Sequence, residues 1–296
     1  MRSSTFVLIL GTLFCARMAA QVPLSPAGDG HLTVPVAVNG SGAFPFILDT
    51  GADGTAVYHW FAEQQHFPPG KSEELVGQTG NSLVPTYKLK SITLDGRSLR
   101  DVVADELSNR HDEGKQAGIA GNDIMDGAIA IFDFPCHTVQ LIPKPLDMHK
   151  LLGGNILPVQ AGPVKEGTEL TLPVTINGVK GLAVLDTGSR DTRINSKFAA
   201  AAGIDPTSAD FKVADVIYGS TSKAMPSKVG PLGTIAFAGL EVRNVRGRVM
   251  DLSSYETFGM ADAPAMTLGA DVMSGFKLIY DHQEKRVWFQ PSTCTH

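Results

Sequence analysis

Two short runs in this chain have the residue types and the placement to do chemistry. Asp49-Thr50-Gly51 and Asp186-Thr187-Gly188 each follow an apolar stretch, Phe46-Ile47-Leu48 and Ala183-Val184-Leu185, and each delivers a carboxylate into a tight glycine turn. Burying a carboxylate is costly unless the charge is used or paired. One such triplet says little, because Asp and Gly are ordinary turn residues. Two of them, 137 residues apart and at the same place in a duplicated module, say much more. If the copies pack about a pseudo-twofold axis, the turns meet and Asp49 faces Asp186. Carboxylates at close range cannot both ionise cheaply, so they share a proton and their apparent pKa values split. The charged member can then take a proton from water while the protonated member donates to a carbonyl. Such a pair suits direct attack of water on an amide. The plainer alternative is that both side chains only cap turns at an interface between lobes.

The duplication that must position them is explicit. Leu32-Thr33-Val34-Pro35-Val36-Ala37-Val38-Asn39-Gly40 returns as Leu170-Thr171-Leu172-Pro173-Val174-Thr175-Ile176-Asn177-Gly178. The Asp-Thr-Gly block is the second match. Gly118–Met125 against Met266–Met273 is the third, and Ile131–Leu141 against Ile279–Phe289 the fourth. Each copy opens as a β-hairpin, because Asn-Gly favours a type I′ turn. Asn39-Gly40-Ser41 also reads as a glycosylation acceptor, but a turn accounts for both copies. Pro35 and Pro173 place the first strand at an edge or a bulge. Helical signals lie around Trp60–Gln65 and Lys197–Ala202.

Composition bounds the rest. With 43% hydrophobic residues the chain can bury a core, and with 31 Gly and 18 Pro it is rich in turns rather than long helices. A formal charge of -5 argues against nucleic-acid binding. Residues 1–20 read as a secretory signal, with Arg2 ahead of an apolar run too short to span a bilayer. An uncleaved anchor is the alternative. The remainder divides into a lobe of 21–150, a connection of 151–165 and a lobe of 166–296, and the mature chain is expected in the periplasm or outside the cell. Export leaves Cys136 and Cys294, which fit either a disulfide or two buried thiols. Metal binding is disfavoured, with no Cys-x-x-Cys and only the adjacent Cys136-His137, and no cofactor is expected.

With both triplets and the later blocks in view, the chain resembles the aspartic proteases of the retropepsin and pepsin type. Asp49-Thr50-Gly51-Ala52-Asp53-Gly54-Thr55-Ala56-Val57 is similar to the retroviral turn, and Asp186-Thr187-Gly188-Ser189 to the pepsin form. The family's second signature, two apolar residues and a glycine, corresponds to Ile119-Ala120-Gly121 and Thr267-Leu268-Gly269, with Thr267 and the small Ala120 as mild departures. The resemblance covers most of residues 31–290. It implies an all-β, bilobal pepsin-like or retropepsin-like fold with a few short helices. It implies catalytic Asp49 and Asp186, supported by Thr50, Gly51, Ala52, Thr187, Gly188 and Ser189. A peptide would bind as an extended strand beneath a flap, for which Gly77-Gln78-Thr79-Gly80 is the candidate and Tyr218-Gly219 its counterpart. Both half-sites lie in one chain, so a monomer suffices. The resemblance further implies that Ser189 donates to the outer oxygen of Asp186, making it the readier of the two to ionise, and that Ser189→Ala raises the acid limb of the pH profile.

Other function classes are weaker. Gly70-Lys71-Ser72 echoes a phosphate loop but has Gln65 where that loop needs glycine, and no Gly-x-Ser-x-Gly or His-Glu-x-x-His occurs. A two-carboxylate glycosidase gives no reason for paired Asp-Thr-Gly turns. A non-catalytic peptide-binding protein of the same fold remains the alternative to an endopeptidase. Asp123 and Asp271, which also recur, are expected to cap the short helices that follow them.

Overall fold

A computed structural model describes residues 21–110, 114–154, 156–221 and 223–294. The expected signal segment therefore lies outside the described residues. Each copy of the repeat folds into its own eight-stranded sheet, and the two sheets match strand for strand. In the first, the order is Ser25–Pro26, Leu32–Val38, Ser41–Leu48, Gly118–Ala120, Ala56–Tyr58, Arg97–Leu107, Gly80–Leu94, Pro69–Gly77. In the second it is Gly162–Pro163, Leu170–Ile176, Val179–Leu185, Ala265–Leu268, Arg193–Ile194, Leu240–Val249, Ala224–Phe237, Lys212–Tyr218. The fold is all-β and bilobal, with short helices such as His59–Gln65 and Ser196–Ala201 at the positions the sequence marks.

Local sequence explains the hairpins. Asn39 and Gly40 take φ of 53° and 79°, and Asn177 and Gly178 take 49° and 85°, the paired left-handed geometry of a type I′ turn. Pro35 and Pro173 sit where the first strand has lost one neighbour and not yet gained the next. In the first lobe Ser25–Pro26 meets this strand only at Leu32 and Thr33, and the strand Gly80–Leu94 meets it only at Ala37 and Val38. In the second, Gly162–Pro163 pairs with Leu170 and Thr171, and Ala224–Phe237 begins its pairing at Val174. A missing N–H costs nothing in such a gap. A register shift follows between Val36 and Val38.

A third, six-stranded sheet joins the lobes. At its centre Ala128–Asp133 runs antiparallel to Lys277–Asp281, and Ile131 pairs with Ile279, its own counterpart in the repeat. The pseudo-twofold axis therefore passes through this pair. The connection between lobes is more than a spacer. Val159–Gln160 adds an edge strand to the joining sheet, and Gly162–Pro163 adds one to the second lobe. One continuous core includes Phe46, Phe61, Ile92 and Leu94 from the first lobe with Phe198, Phe237 and Tyr280 from the second.

Cys136 and Cys294 form a disulfide across 158 residues of chain. It ties the end of the joining sheet's first-lobe hairpin to the C-terminal segment. Closing so long a loop restricts the unfolded chain, so Cys136→Ala is expected to lower stability by about 2–4 kcal/mol. Chemical denaturation of the variant checks this, and an unchanged midpoint would contradict it.

Candidate active site

The two Asp-Thr-Gly turns meet on the pseudo-twofold axis. Each turn hangs from its own lobe by a backbone bond. The Asp49 N–H donates to the Ala120 carbonyl at 2.9 Å and the Asp186 N–H to the Leu268 carbonyl at 3.1 Å. The glycines of the second sequence signature then let each turn close. A Cβ on Gly121 would lie 2.7 Å from the Ala52 carbonyl oxygen, and one on Gly269 would lie 2.8 Å from the Asp191 carbonyl carbon. No side chain fits in either place.

The threonines lock the turns to each other. Thr50 Oγ1 donates to the Leu185 carbonyl at 2.7 Å and accepts the Thr187 N–H at 3.1 Å. Thr187 Oγ1 returns both bonds, to the Leu48 carbonyl at 2.7 Å and from the Thr50 N–H at 3.0 Å. All four bonds are buried and cross between lobes, so they fix the separation of the two aspartates. Asp49 and Asp186 are 8% and 3% exposed. Asp49 Oδ1 accepts from the N–H groups of Gly51 at 2.7 Å and Gly188 at 3.2 Å. The two carboxyl groups lie close enough that the ionisation of each acts on the other.

Burial raises the pKa of both groups, since the charged form loses its water. The two then diverge. The negative charge of Asp186 pushes Asp49 further up, while the Arg193 guanidinium pulls Asp186 back down. Asp186 is thus the member that ionises first, and Asp49 holds the proton.

The hairpin Pro69–Gly77/Gly80–Leu94 carries Gln78 and Thr79 at its tip and reaches over this pair. Gln78 Nε2 donates to Asp186 Oδ2 at 2.7 Å, and Arg193 donates to Gln78 Oε1. The Gln78 carbonyl also accepts the Ser253 N–H at 2.9 Å. The equivalent hairpin of the second lobe, Lys212–Tyr218/Ala224–Phe237, brings its tip to the same place, where the Gly219 N–H donates to Thr79 Oγ1 at 3.2 Å. Both tips close a cleft of roughly 330 Å³ that contains both aspartates.

A family model described as aspartyl protease matches residues 34–124 and again 172–272, together more than half of the chain. The chain belongs to the aspartyl protease family. The two matched regions fall in the two lobes, each contributing one Asp-Thr-Gly turn. No curated protein matches the chain closely enough to be counted as a relative.

Two expectations drawn from the sequence are corrected by the contacts of this site. Ser189 Oγ donates to the Asp191 carbonyl at 3.0 Å, not to Asp186, because the loop after the turn folds its own carbonyl over the hydroxyl. The bias toward an ionised Asp186 comes instead from Arg193. Asp123 and Asp271 lie in the first turns of their helices, but Gly121 and Gly269 occupy the N-cap positions. The two carboxylates brace the Asp-Thr-Gly loops. Asp123 Oδ2 accepts from Thr55 N–H and Oγ1 at 3.0 and 2.7 Å, and Asp271 accepts the matching pair from Thr192 at 3.0 and 2.7 Å.

Three polar residues near the pair escape a search for shared motifs. Arg193 stands where the first copy has Ala56, and Arg190 where it has Asp53. Glu169, just before the second copy's first strand, is buried in the cleft with its pKa raised to about 8, chiefly by burial and then by the charge of Asp53. Comparing the copies for their differences, rather than their identities, exposes all three.

The electrostatics set the pH response of the pair. Activity that needs ionised Asp186 and protonated Asp49 falls in acid as Asp186 gains a proton and falls in alkali as Asp49 loses one. Removing the cation beside Asp186 disfavours its charged form and raises its pKa. Arg193→Gln is therefore expected to move the acid limb of the kcat/KM profile upward by about one pH unit or more. A profile that stays in place, with the variant folded, would show that Arg193 does not tune Asp186.

Proposed function

We propose that the protein is an aspartic endopeptidase of the retropepsin and pepsin type, acting as an exported monomer on peptides bound as extended strands. The observation that carries this reading is the reciprocal Thr50–Thr187 lock holding two closely placed aspartates inside a two-lobed cleft. Water held between the carboxyl groups loses a proton to Asp186 as its oxygen bonds to the scissile carbonyl carbon. Asp49 protonates the carbonyl oxygen, giving a neutral tetrahedral diol. On collapse the C–N bond breaks, the amine takes the proton from Asp186, and a diol hydroxyl returns one to Asp49. Gln78, which bonds to Asp186, gives way to the peptide as the hairpin lifts. The Cys136–Cys294 disulfide supports an oxidising compartment.

The test is incubation of the purified protein with a mixed peptide library from acid to neutral pH, with products identified by mass. Internal cleavage is expected. A folded protein that binds peptides but leaves them whole would instead be a binding protein of this fold.

A further inference from the structure

A cleft built on a pseudo-twofold axis should have two chemically similar ends, and here the ends carry opposite charge. The symmetry carries Asp53 onto Arg190 and Glu169 onto His31, as the repeat offsets of 137 and 138 require. The contacts follow the same mapping. Thr168 and Glu169 meet Asp53 at one end, the Thr168 N–H donating to Asp53 Oδ1 at 2.6 Å. Residues 29–31 meet Arg190 at the other, where its guanidinium donates to the Asp29 carbonyl. Arg193, which replaces Ala56, and Arg110 add two further cations at the Arg190 end. We propose that this end is a subsite for a carboxylate of the peptide, so that the cleft accepts its substrate in one direction only.

The charges of Arg190 and Arg193 are not cancelled by an ion pair in place. The neighbouring carboxylate is that of Asp29, with a side chain 1% exposed, and it is spent on Arg110 at 2.7 Å and His31 at 2.6 Å. Neither Arg190 nor Arg193 forms a salt bridge among the described residues. Arg190 bonds a neutral carbonyl and Arg193 a neutral carboxamide. Arg193 is buried with its Nε lacking an acceptor. Its charge is balanced in part by Asp186 and then Asp191, and the Gln78 oxygen occupies the place beside it that a peptide group would take. His31 is held below its usual pKa, first by burial, with Arg110 and Arg190 adding to the effect against Asp29. It therefore adds a donor rather than a further cation at neutral pH.

The other end repels what this one attracts. Glu169 has a buried oxygen with no partner, Asp53 lies beside it, and the field of Asp186 reaches it as well. With its pKa raised to about 8, Glu169 is mostly protonated at neutral pH, so a carboxylate entering there meets the negative charge of Asp53 and no cation to pair with. The same peptide turned end for end would place its anion against Glu169 and Asp53. Discrimination thus has an attractive and a repulsive half.

The inference rests on the peptide-binding part of the function proposed above, and binding tests it separately from cleavage. The full chain carrying Asp49→Asn is titrated calorimetrically at low and moderate salt with matched neutral peptides bearing Glu, Gln or Lys at each position in turn. Each peptide is used as a free C-terminal acid and as an amide. At one position Glu is expected to bind about ten- to a hundredfold more tightly than Gln, with Lys weaker still. Tighter binding of the free acids than of their amides, whatever the side chain, assigns the subsite to the chain terminus, and a Glu preference kept in the amides assigns it to a side chain. Arg190→Asp, which makes the ends alike, is expected to abolish the preference, and Arg190→Gln to weaken it in case the reversal unfolds the loop. Equal affinity for Glu, Gln and Lys peptides, with no gain of the free acids over the amides, overturns the inference, as does a preference that survives both variants or a failure to bind any peptide. Cleavage of the same peptides by the unaltered protein reports on the peptidase reading alone. Selective binding without hydrolysis removes the activity and keeps the subsite; hydrolysis without selectivity does the opposite.

Discussion

Asp49→Asn and Asp186→Asn are each expected to remove peptide hydrolysis, lowering kcat by roughly 10³-fold or more, while leaving the two-lobed fold in place. The expectation follows from how the pair is held. The turns are positioned by backbone bonds to Ala120 and Leu268 and by the threonine lock, none of which uses the carboxyl groups. An amide is close in shape to a carboxyl, and at position 49 its oxygen can still accept from Gly51 and Gly188. What it cannot do is exchange a proton at the pH of the reaction. Replacing either residue also ends the repulsion that raises the pKa of Asp49, so the double variant should gain stability at neutral pH relative to the unaltered protein. Kinetics on a cleaved peptide together with thermal melts separate these effects. Full activity in either single variant would overturn the assignment of the pair.

The parts of the molecule that sequence reveals well are those fixed by local chemistry repeated twice. Asn-Gly turns, prolines at gaps in the ladder, apolar strands entering Asp-Thr-Gly and the helices after Tyr58 and Asn195 all follow from short runs of residues, and duplication makes each run speak twice. Side-chain partners are less legible, because they depend on where loops come to rest. Ser189 has Asp186 three residues away and Asp191 two residues away, and only the folded loop decides that the Asp191 carbonyl wins. The same applies to Gln78. Its place at a hairpin tip is readable, but its bonds to Asp186 and Arg193 depend on the height and tilt of the whole hairpin over the cleft. Those bonds cross between lobes, where no local pattern reports.

The asymmetry between the copies is where function has most freedom. Gene duplication supplies two equal half-sites, and packing keeps the shared features, Asp-Thr-Gly and the glycines beneath it, because a change there breaks the turn. Positions 53 and 190, 56 and 193, and 31 and 169 lie on the cleft wall rather than under the turns, so they tolerate divergence. Arg193 shows the consequence: one substitution on one side biases which aspartate ionises and also anchors the Gln78 tip.

The glycine that closes each Asp-Thr-Gly turn packs directly against the aspartate of the other lobe, and Gly188→Ala is expected to reduce kcat by about a hundredfold or more. Gly188 has an ordinary backbone conformation, so the constraint is proximity and not φ. A Cβ there would lie 2.7 Å from Asp49 Oδ1 and closer still to the rest of that carboxyl group. Asp49 has little room to retreat. Its Oδ1 is held by Gly51 N–H, and across the axis a Cβ on Gly51 would itself meet the Asp186 Cγ at 2.6 Å. The added methyl must therefore rotate the Asp49 carboxyl away from Asp186 or spread the two turns against the Thr50–Thr187 bonds. Either response lengthens the contact through which the pair shares its proton. Overpacking of this kind costs about 1–3 kcal/mol of stability, which melting experiments should register. Gly275→Ala provides the comparison, since a Cβ at that position meets nothing within 4 Å. Loss of turnover at position 188 with normal behaviour at 275 is the expected result. Equal turnover in both variants would mean that the aspartates do not need the close approach this cleft imposes on them.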